Sequence, residues 1–168
     1  MAITIRFKQI VLIVSIVGMS IACSSGGGAD QYLESIGGAL DAATDATDEW
    51  TSLADKTSVM DYRNMSRNQL VEIAERQLVA ARKAYKAHSE ALTTIMRAMP
   101  PEQCRRVHIA MVEALQLRER GFLEMISYFN SALNLGYEDD DARIHGNDLL
   151  NQADLVKQGA LGALSECG

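Results

Sequence analysis

The fold class this sequence predicts is all-α: an up-down-up-down antiparallel four-helix bundle following a leader and a tether. Three observations predict it. Apolar residues recur at steps of three and four along four stretches of roughly 25 to 33 residues, the period of an amphipathic helix. The only two prolines, Pro100 and Pro101, are adjacent and fall between the second and third stretches, so no stretch is broken from inside. After residue 23 the chain carries one tryptophan (Trp50) and two phenylalanines (Phe122 and Phe129), which leaves a core of Leu, Ile, Val, Met and Ala, a helix-forming alphabet.

The first helix is predicted from about Gln31 to Met60, with Leu33, Ile36, Leu40, Ala43, Thr47, Trp50 and Ala54 on one stripe. The second opens at Ser66, where Gln69 three places on completes a capping-box pattern. Its stripe is Val71, Ala74, Leu78, Ala81, Tyr85, His88, Leu92, Ile95 and Met99, the longest regular run in the chain. Pro100-Pro101 then marks a tight turn, because proline ends one helix and suits the first turn of the next. The third helix carries Cys104, His108, Met111, Leu115, Arg118, Phe122, Met125, Phe129 and Ala132, and Gly136 is placed to cap its end. The fourth follows the acidic run Glu138–Asp141, which complements a helix N-terminus, and carries Leu149, Ala153, Val156, Ala160, Ala163 and Cys167. Gly146 is expected to kink this helix or delay its start.

Antiparallel topology makes a prediction about the cysteines. Counted from the turn near Tyr137, Cys104 lies 33 residues back and Cys167 lies 30 residues on, at nearly the same height. A Cys104–Cys167 disulfide stapling the start of helix 3 to the end of helix 4 is therefore expected. Gly37 and Gly38 near the start of helix 1, with Gly159 and Gly162 near the end of helix 4, are read as a close approach of those two helices. The rival reading is a small apolar cavity left by the missing side chains.

The first 23 residues differ from everything after them. Arg6 and Lys8 form a short cationic start, Ile10 to Ala22 is uncharged and mostly aliphatic, and Ser20-Ile21-Ala22-Cys23 sets a small residue before a cysteine. A helix of that apolar run is about 20 Å long, short of a ~30 Å hydrocarbon core, so it reads as an export segment. This leader resembles the lipobox of bacterial lipoproteins, with Ser20 where the family usually carries leucine. The resemblance implies acylation of the Cys23 thiol and cleavage before it. It gives residues 1–22 as signal peptide, 23–30 as lipidated tether and 31–168 as the bundle domain. Ser24 after the cysteine implies, in enteric-type bacteria, an outer-membrane anchor facing the periplasm.

Export to an oxidising compartment agrees with a disulfide for the remaining two cysteines, and there is no CxxC or CxxCH. Beyond Cys23 there are 14 Lys and Arg against 22 Asp and Glu, a net charge of −8, which argues against nucleic acid as a partner. The acids concentrate on the first and fourth helices, an acidic flank suited either to a basic partner or simply to solvation.

Three clusters offer candidate chemistry. His88 and His108 lie on buried stripes, but their offset of about five residues, ~7 Å, does not suit one ion, and both read as hydrogen-bonded core or boundary histidines. Met96, Met99, His108 and Met111 near the Pro-Pro turn offer the thioether and imidazole donors that copper or haem b would use. The alternative function is therefore a haem b- or copper-binding bundle in electron transfer or metal handling. The plain reading of the same methionines is gap-filling in an aromatic-poor core, with no cofactor. Asp139, Asp140, Asp141, His145 and Asp148 lack EF-hand spacing and read as a solvated helix start. No GxSxG, phosphate loop or HExxH occurs, so a non-catalytic binding or structural module is expected.

The topology also orients the bundle. The turn between helices 2 and 3 returns toward the tether, placing Arg97, Arg105 and Arg106 near lipid phosphates. The opposite tip presents Tyr62, Arg63, Tyr137 and Glu138, the expected contact surface for an envelope protein partner.

Overall fold

The computed structural model describes residues 27–58, 60, 64–135 and 139–167. Cys23 and the expected partner-binding residues Tyr62, Arg63, Tyr137 and Glu138 lie outside them. The described chain is all helix: α1 (Gly27–Ser58), α2 (Arg67–Arg97), α3 (Arg105–Leu135) and α4 (Asp140–Cys167), with a short 3-10 turn, Glu102–Cys104, leading into α3. The helices contain 32, 31, 31 and 28 residues, and each packs on the next, as the predicted up-down bundle requires.

Local chemistry accounts for most of the helix ends. Ser66 caps α2 through a true capping box: its Oγ accepts from the Gln69 amide at 3.4 Å, and its own amide donates to Gln69 Oε1 at 2.8 Å. α2 stops at Arg97 because Ala98, followed by the Pro-Pro turn, adopts extended backbone at φ −73° and ψ 138°. Pro101 holds φ −60° at the entry to the 3-10 turn. At the start of α4 the Asp139 carboxylate accepts from the Ala142 amide at 3.1 Å, satisfying one free donor of the first turn. The acidic run is thus a helix start, with Asp140 paired to Arg143 at 3.0 Å and His145 beside Glu124 at 3.3 Å.

α1 runs from Gly27, the first described residue, rather than from near Gln31. The reason is tertiary: Ala29 and Tyr32 are 2% and 4% exposed, and burying them extends the helix back toward the glycines. The buried face of α1 is Ala29, Tyr32, Ile36, Ala43 and Ala46, so Leu33, Leu40 and Trp50 flank the core instead of centring it. On α2 the predicted stripe is buried from Leu78 to Ile95 except at half-buried Tyr85, and its ends, Val71 and Met99, are exposed.

The disulfide Cys104–Cys167 is present, with the two Cα atoms 4.4 Å apart and both residues fully buried. The glycine expectation is overturned. A Cβ added at Gly37, Gly38, Gly159 or Gly162 would meet nothing within 4 Å, and no backbone interface comparable to the other three joins α1 and α4 among the described residues. The close approach lies between α3 and α4 instead. A Cβ at Gly121 would sit 2.9 Å from Leu150 and 3.1 Å from the Gly146 carbonyl, and one at Gly146 would sit 3.1 Å from the Gly121 carbonyl. Gly146 therefore does not delay α4, which starts at Asp140; it lets two backbones touch. Gly159 lines an open groove between α3 and α4 rather than a cavity shared with the α1 glycines.

The core falls into two clusters. The one at the end where α1 starts gathers Tyr32, Ile36, Leu92, Ile95, Val107, Leu115 and the disulfide; the other gathers Ala46, Ala81, Ala84, Phe122 and Met125.

Candidate functional site

Between these clusters runs a polar layer to which every helix contributes one residue. Thr47 on α1, His88 on α2, Arg118 on α3 and Asp154 on α4 form a continuous chain of contacts. Each of the first three stands between a residue of one cluster and a residue packed in the other: Thr47 between Ala43 and Trp50, His88 between Ala91 and Ala84, Arg118 between Leu115 and Phe122.

The chemistry of the layer follows from its acceptors. His88 is 1% exposed, and its Nδ1 lies 2.8 Å from the Ala84 carbonyl, which can only accept; Nδ1 therefore carries the proton. Its Nε2 faces Thr47 Oγ1 at 3.4 Å. That hydroxyl accepts from Arg118 Nη1 at 2.9 Å and lies 3.0 Å from the Ala43 carbonyl. The other Arg118 nitrogen, Nη2, pairs with the Asp154 carboxylate.

Burial pushes the His88 pKa down to about 4; the Ala84 carbonyl works against that, and the positive charges of Arg118 and Lys157 add to it. His88 is thus a neutral ring at physiological pH. Lys157 is lowered as well, first by burial and then by Arg118, with Asp154 and Asp48 opposing. The layer therefore balances two cations, Arg118 and Lys157, against two carboxylates on α1 and α4, while α1 and α4 themselves stay apart.

Such a layer fixes register. The Arg118 side chain is 12% exposed, and sliding a helix by one turn would leave its guanidinium in the interior without Thr47 or Asp154. The ring of Phe122 closes the layer from below, 5.3 Å from His88 and edge-on to Trp50 at 5.4 Å. Trp50 Nε1 is buried without a hydrogen-bond partner among the described residues.

Mirroring α2 on α3 about the prolines set His88 opposite about residue 113; the structure sets it against Phe122. Side chains lean toward their own helix N-terminus, so a ring on α2 reaches away from the turn and a ring on α3 reaches toward it.

His108 belongs to a different level. Its Nδ1 lies 2.9 Å from the Tyr32 hydroxyl, tying the start of α1 to the start of α3, and burial lowers its pKa while raising that of Tyr32. The expected grouping of Met96, Met99, His108 and Met111 as copper or haem ligands is not one environment. Met96 and Met99 are 62% and 92% exposed, Met111 packs against the core, and His108 is engaged with Tyr32. Met96, next to buried Ile95, faces outward from α2, and Met99 lies past the helix end at Arg97.

Thr47, His88 and Arg118 were visible in the sequence as polar residues on apolar stripes. Asp154 and Lys157 were not, since nothing local distinguishes them from solvated helix charges. Outside the layer, a groove of about 400 Å³ runs between α3 and α4, lined by Ile109, Ala110, Val156, Gly159 and Ala163, with Arg106 at its edge. Among the described residues no three His, Cys, Asp or Glu side chains group as metal ligands, and no helix is long and apolar enough to cross a membrane. The chain matches no protein-family model, no curated protein and no solved structure.

Proposed function

We propose that this chain is a lipoprotein of the cell envelope, anchored through acylated Cys23, whose four-helix bundle is a non-catalytic binding or structural domain. The observation that carries this reading is the leader: a cationic start, an aliphatic run and Ser20-Ile21-Ala22-Cys23. The position of the bundle supports it, because α1 starts at Gly27, four residues after the cysteine. The disulfide fits an oxidising compartment, and the polar layer supports a fixed scaffold, since its one deeply buried histidine is neutral and hydrogen-bonded. Ser24 favours an outer-membrane anchor facing the periplasm.

Mass spectrometry of the protein extracted from membranes tests the anchor: the expected product begins at a lipid-modified Cys23. A mature chain starting elsewhere and carrying no lipid would refute it. The binding role is tested by crosslinking in cells from Tyr62 and Tyr137, compared with Arg105. Capture of an envelope protein at the first two positions supports a distal contact surface; capture only at Arg105 reverses that assignment.

A further inference from the structure

We propose that the turn between α2 and α3 is a second, non-covalent membrane contact, with Met96 and Met99 inserted in the headgroup layer and Arg97 on the lipid phosphates. This inference rests on the lipid-anchored reading.

Position is the first argument. Gly28, Gln31 and Tyr32 of α1 line one crevice with Ala98 and Met99, so the turn stands beside the first turns of the helix that leaves the anchor. The disulfide and the Tyr32–His108 contact bring the end of α4 and the start of α3 to the same end of the bundle. Three residues separate Gly27 from Cys23, and the four extended steps between them span at most about 14 Å. This end cannot stand far from a bilayer that holds Cys23.

Exposure is the second. Met99 is 92% and Met96 62% exposed, two long apolar side chains on the face that the short tether turns to lipid. Their flexible thioethers suit an irregular apolar surface.

Charge is the third, and it identifies which cation is available. Arg105 is paired with Glu102 at 2.7 Å and Arg106 with Glu166 at 2.8 Å. Arg97 has no ion pair among the described residues, and it stands in the last turn of α2 between the two methionines. Its long stem lets the guanidinium reach phosphate while the neighbouring methionines enter the apolar boundary. Asp30 and Glu34 in the first turns of α1 oppose docking by charge alone, so insertion of the methionines carries the contact.

The test uses the full, acylated chain reconstituted in phosphatidylcholine–phosphatidylglycerol vesicles with brominated acyl chains, which quench indole emission at contact distance. Met99→Trp and, separately, Met96→Trp are expected to lose emission relative to unbrominated vesicles. Val79→Trp, at a 65% exposed position about 30 Å along α2, is expected to keep it. Adding Arg97→Gln should lower the docked-to-undocked ratio about fivefold and restore part of the Met99→Trp emission. With Cys23 acylation verified by mass spectrometry in the same sample, unquenched Met99→Trp and Met96→Trp would overturn the contact and leave the anchor standing. Equal quenching at position 79 would overturn it too, since the bundle would then lie flat. An unacylated Cys23 refutes the anchor instead.

Discussion

Acidification should weaken this fold through His88 before the carboxylates begin to titrate. The folded ring has a pKa of about 4, while an exposed histidine in the unfolded chain titrates near 6.5. Between those values the unfolded chain binds the proton that the folded chain refuses, so stability is complete above about pH 6.5 and falls as the pH drops toward 4. Linkage puts the loss at about 2 kcal/mol between pH 7.5 and 5 and about 3 kcal/mol once both states are protonated. The assay is urea unfolding of the purified chain at pH 7.5 and 5.0, alongside His88→Asn, whose amide can still donate to the Ala84 carbonyl. The carboxylates and the lowered His108 are common to both proteins and cancel in the difference. The wild type should lose about 2 kcal/mol more than the variant over this interval. Equal losses, or a wild type more stable at pH 5.0, would refute the account of His88 as a ring kept neutral by burial and by Arg118.

Reducing the Cys104–Cys167 bond, which bridges a sequence separation of 63, should lower stability by about 4 kcal/mol on the chain-entropy model; a thermal melt with and without reductant reads it. The glycines divide by position. Gly146→Ala should destabilise by about 1–3 kcal/mol, since its Cβ meets the Gly121 carbonyl, whereas Gly38→Ala, which meets nothing, should stabilise by about 1 kcal/mol. Matched denaturation curves check both, and a stabilising Gly146→Ala would contradict the close helix crossing. Ser66→Ala removes the capping box of α2 and should cost about 1 kcal/mol, seen as a lower urea midpoint at unchanged slope.

Helix number and order, the break at Pro100-Pro101, the capping box at Ser66 and the Cys104–Cys167 pairing could all be read from the chain alone. Each depends on local spacing or on counting residues from a turn, and an antiparallel bundle converts sequence distance directly into height. The proposed leader ending at Cys23 rests likewise on a linear pattern, and it lies outside the described residues.

Pairwise contact across the bundle was not legible in this way. Four glycines at plausible heights suggested that α1 met α4, yet the crossing uses Gly121 and Gly146 on α3 and α4, because helix rotation about its own axis decides which glycine faces a backbone. That same rotation centres Tyr32 rather than Leu33 on the core and extends α1 back to Gly27. It also turns Met96 outward, while Met99, on a stripe that periodicity alone would have buried, lies past the helix end. The polar layer depends on it most: Thr47, His88 and Arg118 could be seen as exceptions on their own helices, but their meeting with one another and with Asp154 is set by four rotations and four axial shifts at once. The sequence determined the elements, their order and their disulfide, which are properties of spacing along one dimension. Tertiary structure decided which faces meet, because that choice is made by packing between helices and no single helix encodes it.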